Sequence, residues 1–122
     1  VPDVLPPTDD PLASTIRAVV NAVSAISGNQ TVTSSFFGTY RTTDNTAATW
    51  TLPQTGTLGT SFDLFQGGTG QITFSGSGNA ILYFSASNTH TKTARQGAAV
   101  SVRCVANADG NHAVWMVAGA TA

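Results

Sequence analysis

The apolar positions change period once along this chain. Between Pro11 and Ser27 they fall at Leu12, Ile16, Val19, Val23 and Ile26, in steps of four, three, four and three residues. That is the a/d spacing of a heptad repeat, and it predicts a helix over residues 11–28 with one narrow apolar stripe. Asp10 is placed to cap its first N–H groups, and Pro11 fits the first helical position. Gly28 and Asn29 supply the left-handed residues that close a helix. From Thr31 onward the pattern alternates, with short runs of Val, Thr, Phe, Trp and Tyr separated by Gly, Asn and Asp. Strands are predicted at residues 31–37, 40–42, 47–52, 61–66, 71–75, 80–85, 98–106 and 111–117.

The breaks between these runs carry their own chemistry. Pro53 ends a strand because it cannot donate in a ladder. Gly67-Gly68-Thr69-Gly70 reads as a tight hairpin, Gly76 to Asn79 as a second turn, and Asn107-Ala108-Asp109-Gly110 as a third. Within the strands, Phe62 and Leu64 share a face opposite Asp63 and Phe65, and Val100, Val102 and Cys104 oppose Ser101, Arg103 and Val105. Phe65, Val105 and Trp115 fall out of phase with a one-sided pattern and imply that some strands are covered on both faces. The expected fold is mainly β, an antiparallel β-sandwich or small barrel preceded by a short N-terminal α-helix. No internal repeat is visible in the sequence.

The expected organisation is a Pro- and Asp-rich extended linker at 1–10, the helix at 11–28 and the sandwich at 29–122. The helix carries one charge, Arg17, and its stripe needs a cover. Two covers fit: the chain's own sheet, or the same stripe on other copies. Residues branched at Cβ in both a and d positions lean towards three or more strands. If other copies supply the cover, as in a trimeric coiled-coil stem, Leu12, Ile16, Val19, Val23 and Ile26 form its interface.

Charge narrows the function. Only 9% of residues are charged and the net charge is −1, against a usual ~25% charged. The basic residues Arg17, Arg41, Lys92, Arg95 and Arg103 offer no phosphate-tracking field, so no nucleic-acid partner is expected. No apolar run is long enough to insert in a membrane as a helix, and the opening residues lack the basic-then-apolar pattern of a secretion signal.

Catalytic and metal motifs are likewise missing from the sequence. The single cysteine, Cys104, reads as a small core residue. His90 and His112 sit in no metal-binding spacing, although a histidine on a trimer axis could hold an ion in a ring of three. There is no nucleophile elbow, no phosphate loop and no glutamate; Asp44 and Asp63 as a glycosidase pair lack any supporting motif. The expectation is a protein that is not an enzyme and has no cofactor. Trp50 and Trp115 read as packing, and Asn29-Gln30-Thr31 as a helix end rather than a glycan acceptor.

The second half contains Leu52-Pro53, Leu58-Gly59, Gln66, Gly68-Thr69-Gly70, Gln71-Ile72-Thr73-Phe74, Thr91-Lys92-Thr93, Gln96, an apolar run from Val100 to Val105, Trp115 and Gly119, in that order. This succession resembles a domain at the C-terminal ends of bacteriophage tail fibre and tail spike proteins, over roughly residues 48–122. The resemblance implies a β-sandwich at the tip of a homotrimeric virion fibre that adsorbs to a host cell-surface polysaccharide, capsule or lipopolysaccharide. It also implies architectural roles for Gln66, Gln71, Gly68 and Gly70, and makes Lys92 and Gln96 candidates for the contact between chains. It brings no catalytic or metal residue. Glycan-binding candidates are then the polar loop residues Tyr40, Arg41, Asp44 and Asn45, Asn88 and His90, and Asn107, Asp109, Asn111 and His112. The rival expectation is a purely structural trimerisation or capping module of a virion protein.

Overall fold

The computed structural model describes residues 23–122. Its strands are β1 (Val23–Ile26), β2 (Gln30–Thr31), β3 (Thr39–Thr42), β4 (Ala48–Leu52), β5 (Ser61–Gln66), β6 (Ile72–Gly76), β7 (Ile81–Phe84), β8 (Ala99–Ala106) and β9 (Val114–Gly119). They form a six-stranded sheet in the order β1-β3-β5-β8-β9-β7 and a three-stranded sheet in the order β2-β4-β6. The mainly-β expectation holds: six of the eight predicted strands lie within two residues of an observed one at both ends, and the run predicted at 111–117 starts three residues later, as β9. The run predicted at 31–37 shrinks instead to β2, because Phe36 N donates to Thr33 O and turns the chain.

The antiparallel expectation is corrected. β1 pairs with β3, β3 with β5, β2 with β4 and β4 with β6, all in parallel, and β7 with β9 also in parallel. Among the described residues, only β5 with β8 and β8 with β9 are antiparallel strand pairs. Up to β6 the chain therefore winds, each strand passing to the other sheet before the next returns beside its predecessor. The winding is a structural repeat without a sequence repeat. Val23 lies beside Thr39 and Thr39 beside Asp63, so the coils differ in length and no fixed period marks them.

Two further corrections follow. Gly67–Gly70 is not a hairpin: it carries the chain from β5 in the larger sheet to β6 in the smaller. Its glycines are needed because the turn lies directly on the previous coil. A Cβ on Gly68 would overlap the carbonyl of Asp44, and one on Gly70 that of Thr46. The end of the predicted helix is strand instead. Val23–Ile26 pairs with β3, Thr43 N donates to Ile26 O at 3.1 Å, and Gly28, with φ +77°, turns the chain into β2. Residues branched at Cβ suit this pairing as well as they suit a heptad, and the main-chain ladder decides. Val23 is exposed and Ile26 packs on the core's edge. Leu12, Ile16 and Val19 lie outside the described residues.

The core fills the space between the sheets. Trp50, Leu52, Ile72 and Phe74 from the smaller sheet meet Phe62, Leu64, Val100, Val102, Cys104, Trp115 and Val117 from the larger. Trp115 is in phase with Val117 on the inner face, and Phe65 and Val105 point outward. Val105 sits at a β-bulge, where the register with β9 slips between Cys104 and Ala106. An aromatic group of Phe36, Tyr40, Trp50 and Phe62 packs with ring centroids 5.1–5.9 Å apart.

Antiparallel segments close both stacks on one side. β8 covers β5, and Thr91–Thr93 runs against β6, with Phe74 N donating to Thr91 O and Thr93 N to Ile72 O, each at 2.9 Å.

Candidate functional site

The loop candidates are spread apart by the winding. Turns leaving β1, β3 and β5 lie at one end of the sandwich, and those leaving β2 and β4 at the other. Asp44 and Asn45 sit at the first end and are used structurally. The Asp44 carboxylate accepts the Gly28 N–H at 2.9 and 3.1 Å, and Thr69 Oγ1 donates to Asn45 at 3.4 Å. Asn29 does the same work between coils, its side-chain oxygen accepting Thr49 N–H at 2.9 Å. Tyr40 belongs to the aromatic core group, and its hydroxyl accepts Phe37 N–H. Arg41 is exposed on β3. Asn88 and His90 are exposed in the loop after β7.

Asn107, Asp109, Asn111 and His112 lie at the second end. Asn107 Nδ2 donates to Gly56 O at 2.7 Å and its oxygen accepts His112 N–H at 3.2 Å, which ties the β8–β9 hairpin to the β4–β5 turn. Asp109 accepts Asn111 N–H at 2.9 Å and contacts His112 Nδ1 at 2.6 Å. The Asn111 N–H is the larger cause, with the His112 ring second, holding the Asp109 carboxyl below its ordinary value. A lowered folded pKa stabilises the turn above the unfolded pKa and loses that effect as pH falls through the folded one. The Asn111 amide shift should therefore titrate with a midpoint below the usual Asp value of about 3.9. That transition should vanish in Asp109→Asn, as followed by NMR.

Three glutamine side chains donate to main-chain carbonyls around the passage from β5 to β6 and the segment that runs against β6. Gln66 is fully buried; its Nε2 donates to Gly68 O at 3.1 Å, and its oxygen accepts Thr93 Oγ1. Thr93 Oγ1 in turn accepts Ile72 N–H at 2.9 Å. Gln71 Nε2 donates to Thr93 O at 2.9 Å and Ala94 O at 3.1 Å, and Gln96 Nε2 to Gly67 O at 2.9 Å. Gln96 thus has a partner within its own chain. Cys104 is buried, and burial pushes its thiol pKa up, which suits packing and not nucleophilic work. No group of three or more His, Cys or Asp residues among those described is placed to hold a metal ion.

Two hollows remain. One, of about 290 Å³, lies at the second end between Thr31–Ser34 and Pro53–Thr57, with the Trp115 ring at its base and no charged group in its lining. The other, of about 370 Å³, crosses the outward face of the six-stranded sheet over β3, β5, β8 and β9. Thr39, Asp63, Ser101 and Ala118 lie side by side in register there. Phe65 stands over Ala99 and beside Arg41, and Gly119 completes the floor. Ser101 Oγ donates to Asp63 Oδ1 at 2.6 Å.

Sequence reasoning about loops missed this groove, since its residues are mid-strand. The usable signal was Asp63 itself, a carboxylate in the middle of a β-run, where aspartate is disfavoured. No family model, curated protein or solved structure matches the chain.

Proposed function

We propose that the chain is the tip module of a homotrimeric phage tail fibre or tail spike, a non-enzymatic virion component that adsorbs to host cell-surface polysaccharide. The observation that carries this reading is the one-sided closure of the two sheets. Parallel coils stack as β1-β3-β5 and β2-β4-β6, and antiparallel segments end both stacks on the same side. Stacked-strand proteins need such a terminal cap, because an uncapped edge recruits further strands. The ordered motifs from Leu52-Pro53 to Gly119 and the low-charge, hydroxyl-rich composition support the same reading.

Light scattering after size exclusion should give a mass near three chains, and the purified chain should sediment with host cells carrying capsule or intact lipopolysaccharide. A single-chain mass without adsorption overturns the reading. A trimer that adsorbs to no surface polysaccharide supports the purely structural cap instead.

A further inference from the structure

We infer that the groove on the outward face of the six-stranded sheet is a subsite for one neutral pyranose ring, stacked on Phe65 and held through its hydroxyls by Asp63. This rests on the polysaccharide-adsorbing reading and gives it a place and a ligand class.

The side chains are laid out for such a ring. Asp63 and Phe65 are two residues apart on β5 and point the same way, which sets them roughly 7 Å apart at about 3.4 Å per residue. A pyranose lying with its C–H face on the Phe65 ring then extends its hydroxyls to the carboxylate. Phe65 is 38% exposed, unusual for an aromatic on a strand this central to its sheet. Asp63 meets no cationic partner among the described residues. Its Oδ1 takes the Ser101 hydroxyl, and no donor among the described residues reaches Oδ2. That oxygen is left to accept a sugar hydroxyl, with the Thr39 hydroxyl beside it in register.

The floor is kept low to admit the ring. Ala99, Ala118 and Gly119 form it, and Gly119 has φ +126°, with an added Cβ meeting Ala99 O at 2.5 Å. The same carboxylate sets selectivity. Asp63 is the charged group in the groove's lining, with Arg41 and Arg103 on the same face just outside it, so the fixed charge nearest the ring is negative and disfavours a uronic or sialic acid there. Neutral hexoses and N-acetylhexosamines fit. A shallow site of this kind binds weakly alone and gains strength when several copies engage one polysaccharide.

The test uses the full chain with methyl glycosides of glucose, galactose and N-acetylglucosamine as probes, and methyl glucuronoside and sialic acid as acidic counterparts. Saturation-transfer NMR reports which ring protons touch the protein, and whole-cell adsorption is measured alongside. Losing the Phe65 stack or a hydrogen bond to the Asp63 carboxylate should weaken a neutral probe by about tenfold or more. The variants are Phe65→Ala, Asp63→Asn and Ala118→Leu, the last filling the floor while leaving the lining polar groups in place. Circular dichroism confirms that each is folded. Loss of neutral-sugar binding in all three, with the fold kept, is the expected result. If the wild-type chain adsorbs to polysaccharide and the folded variants do so equally, the groove is not the subsite, although the adsorption reading stands. Preference for the acidic probes also overturns the assignment. If the wild-type chain adsorbs to no polysaccharide, the underlying reading fails and the groove falls with it.

Discussion

Trp50→Ala is expected to remove a large share of the chain's stability and to lower its urea midpoint sharply, whereas Trp50→Phe should leave stability nearly unchanged. Trp50 is fully buried and central to the aromatic group, touching Phe36, Tyr40 and Phe62. Truncating a buried tryptophan to alanine costs ~3–5 kcal/mol, through lost transfer energy and the cavity left behind. A domain of this size has only ~5–15 kcal/mol in total. The phenylalanine variant differs because the Trp50 indole N–H finds no acceptor among the described residues. An unsatisfied buried donor costs ~1–3 kcal/mol, and removing it offsets much of the smaller ring's lost contact. Urea unfolding followed by far-ultraviolet circular dichroism distinguishes the two variants. A Phe variant as unstable as the Ala variant would show that the indole's full volume matters more than its unpaired N–H.

Gln66→Leu and Thr93→Val should each destabilise by ~2–4 kcal/mol, because each strands buried polar groups that the other had satisfied. Gln66→Leu leaves Gly68 O and Thr93 Oγ1 without their partners, and Thr93→Val leaves Ile72 N–H and the Gln66 oxygen. The double variant removes both sides of the shared bond. Its cost should fall short of the sum of the singles by roughly 1–2 kcal/mol, within the range of directly coupled residues. The pair also joins the end of β5 to the segment that runs against β6, so hydrogen exchange at Phe74 and Thr93 should speed up in either single variant. Additive costs would show that the two side chains act independently.

Much of the sandwich was legible because alternation reports which face of a strand is buried. SFDLFQ places Phe62, Leu64 and Gln66 inside and Asp63 and Phe65 outside. AVSVRCVA does the same up to its bulge at Val105. Alternation does not report which way the neighbouring strand runs. A glycine-rich break can equally be a hairpin or a passage between sheets, and the steric demand at Gly68 and Gly70 comes from a coil far away in sequence. The turn expected at Asn107–Gly110 is present and joins two antiparallel neighbours, β8 and β9.

The end of the supposed helix was misread for a related reason. Val23 and Ile26 satisfy a heptad step, and nothing local to them reveals the ladder that β3 offers. Asp44 and Asn107 are consumed in joining coils, a use that sequence composition cannot separate from recognition.

The two sides of the stacked coils are chemically unlike, and this gives the molecule a direction. On the side of β8 and Thr91–Thr93 the coils' own ladders are already paired, and the larger sheet runs on through β9 to its other edge strand, β7. On the side of β1 and β2, the outermost strands there among the described residues, another turn of backbone could join with the ladder's existing geometry. Lengthening from that side would leave β5, β8 and β9, and the groove across them, untouched. Extra coils could thus be added at one edge while the opposite half of the sandwich keeps its present packing.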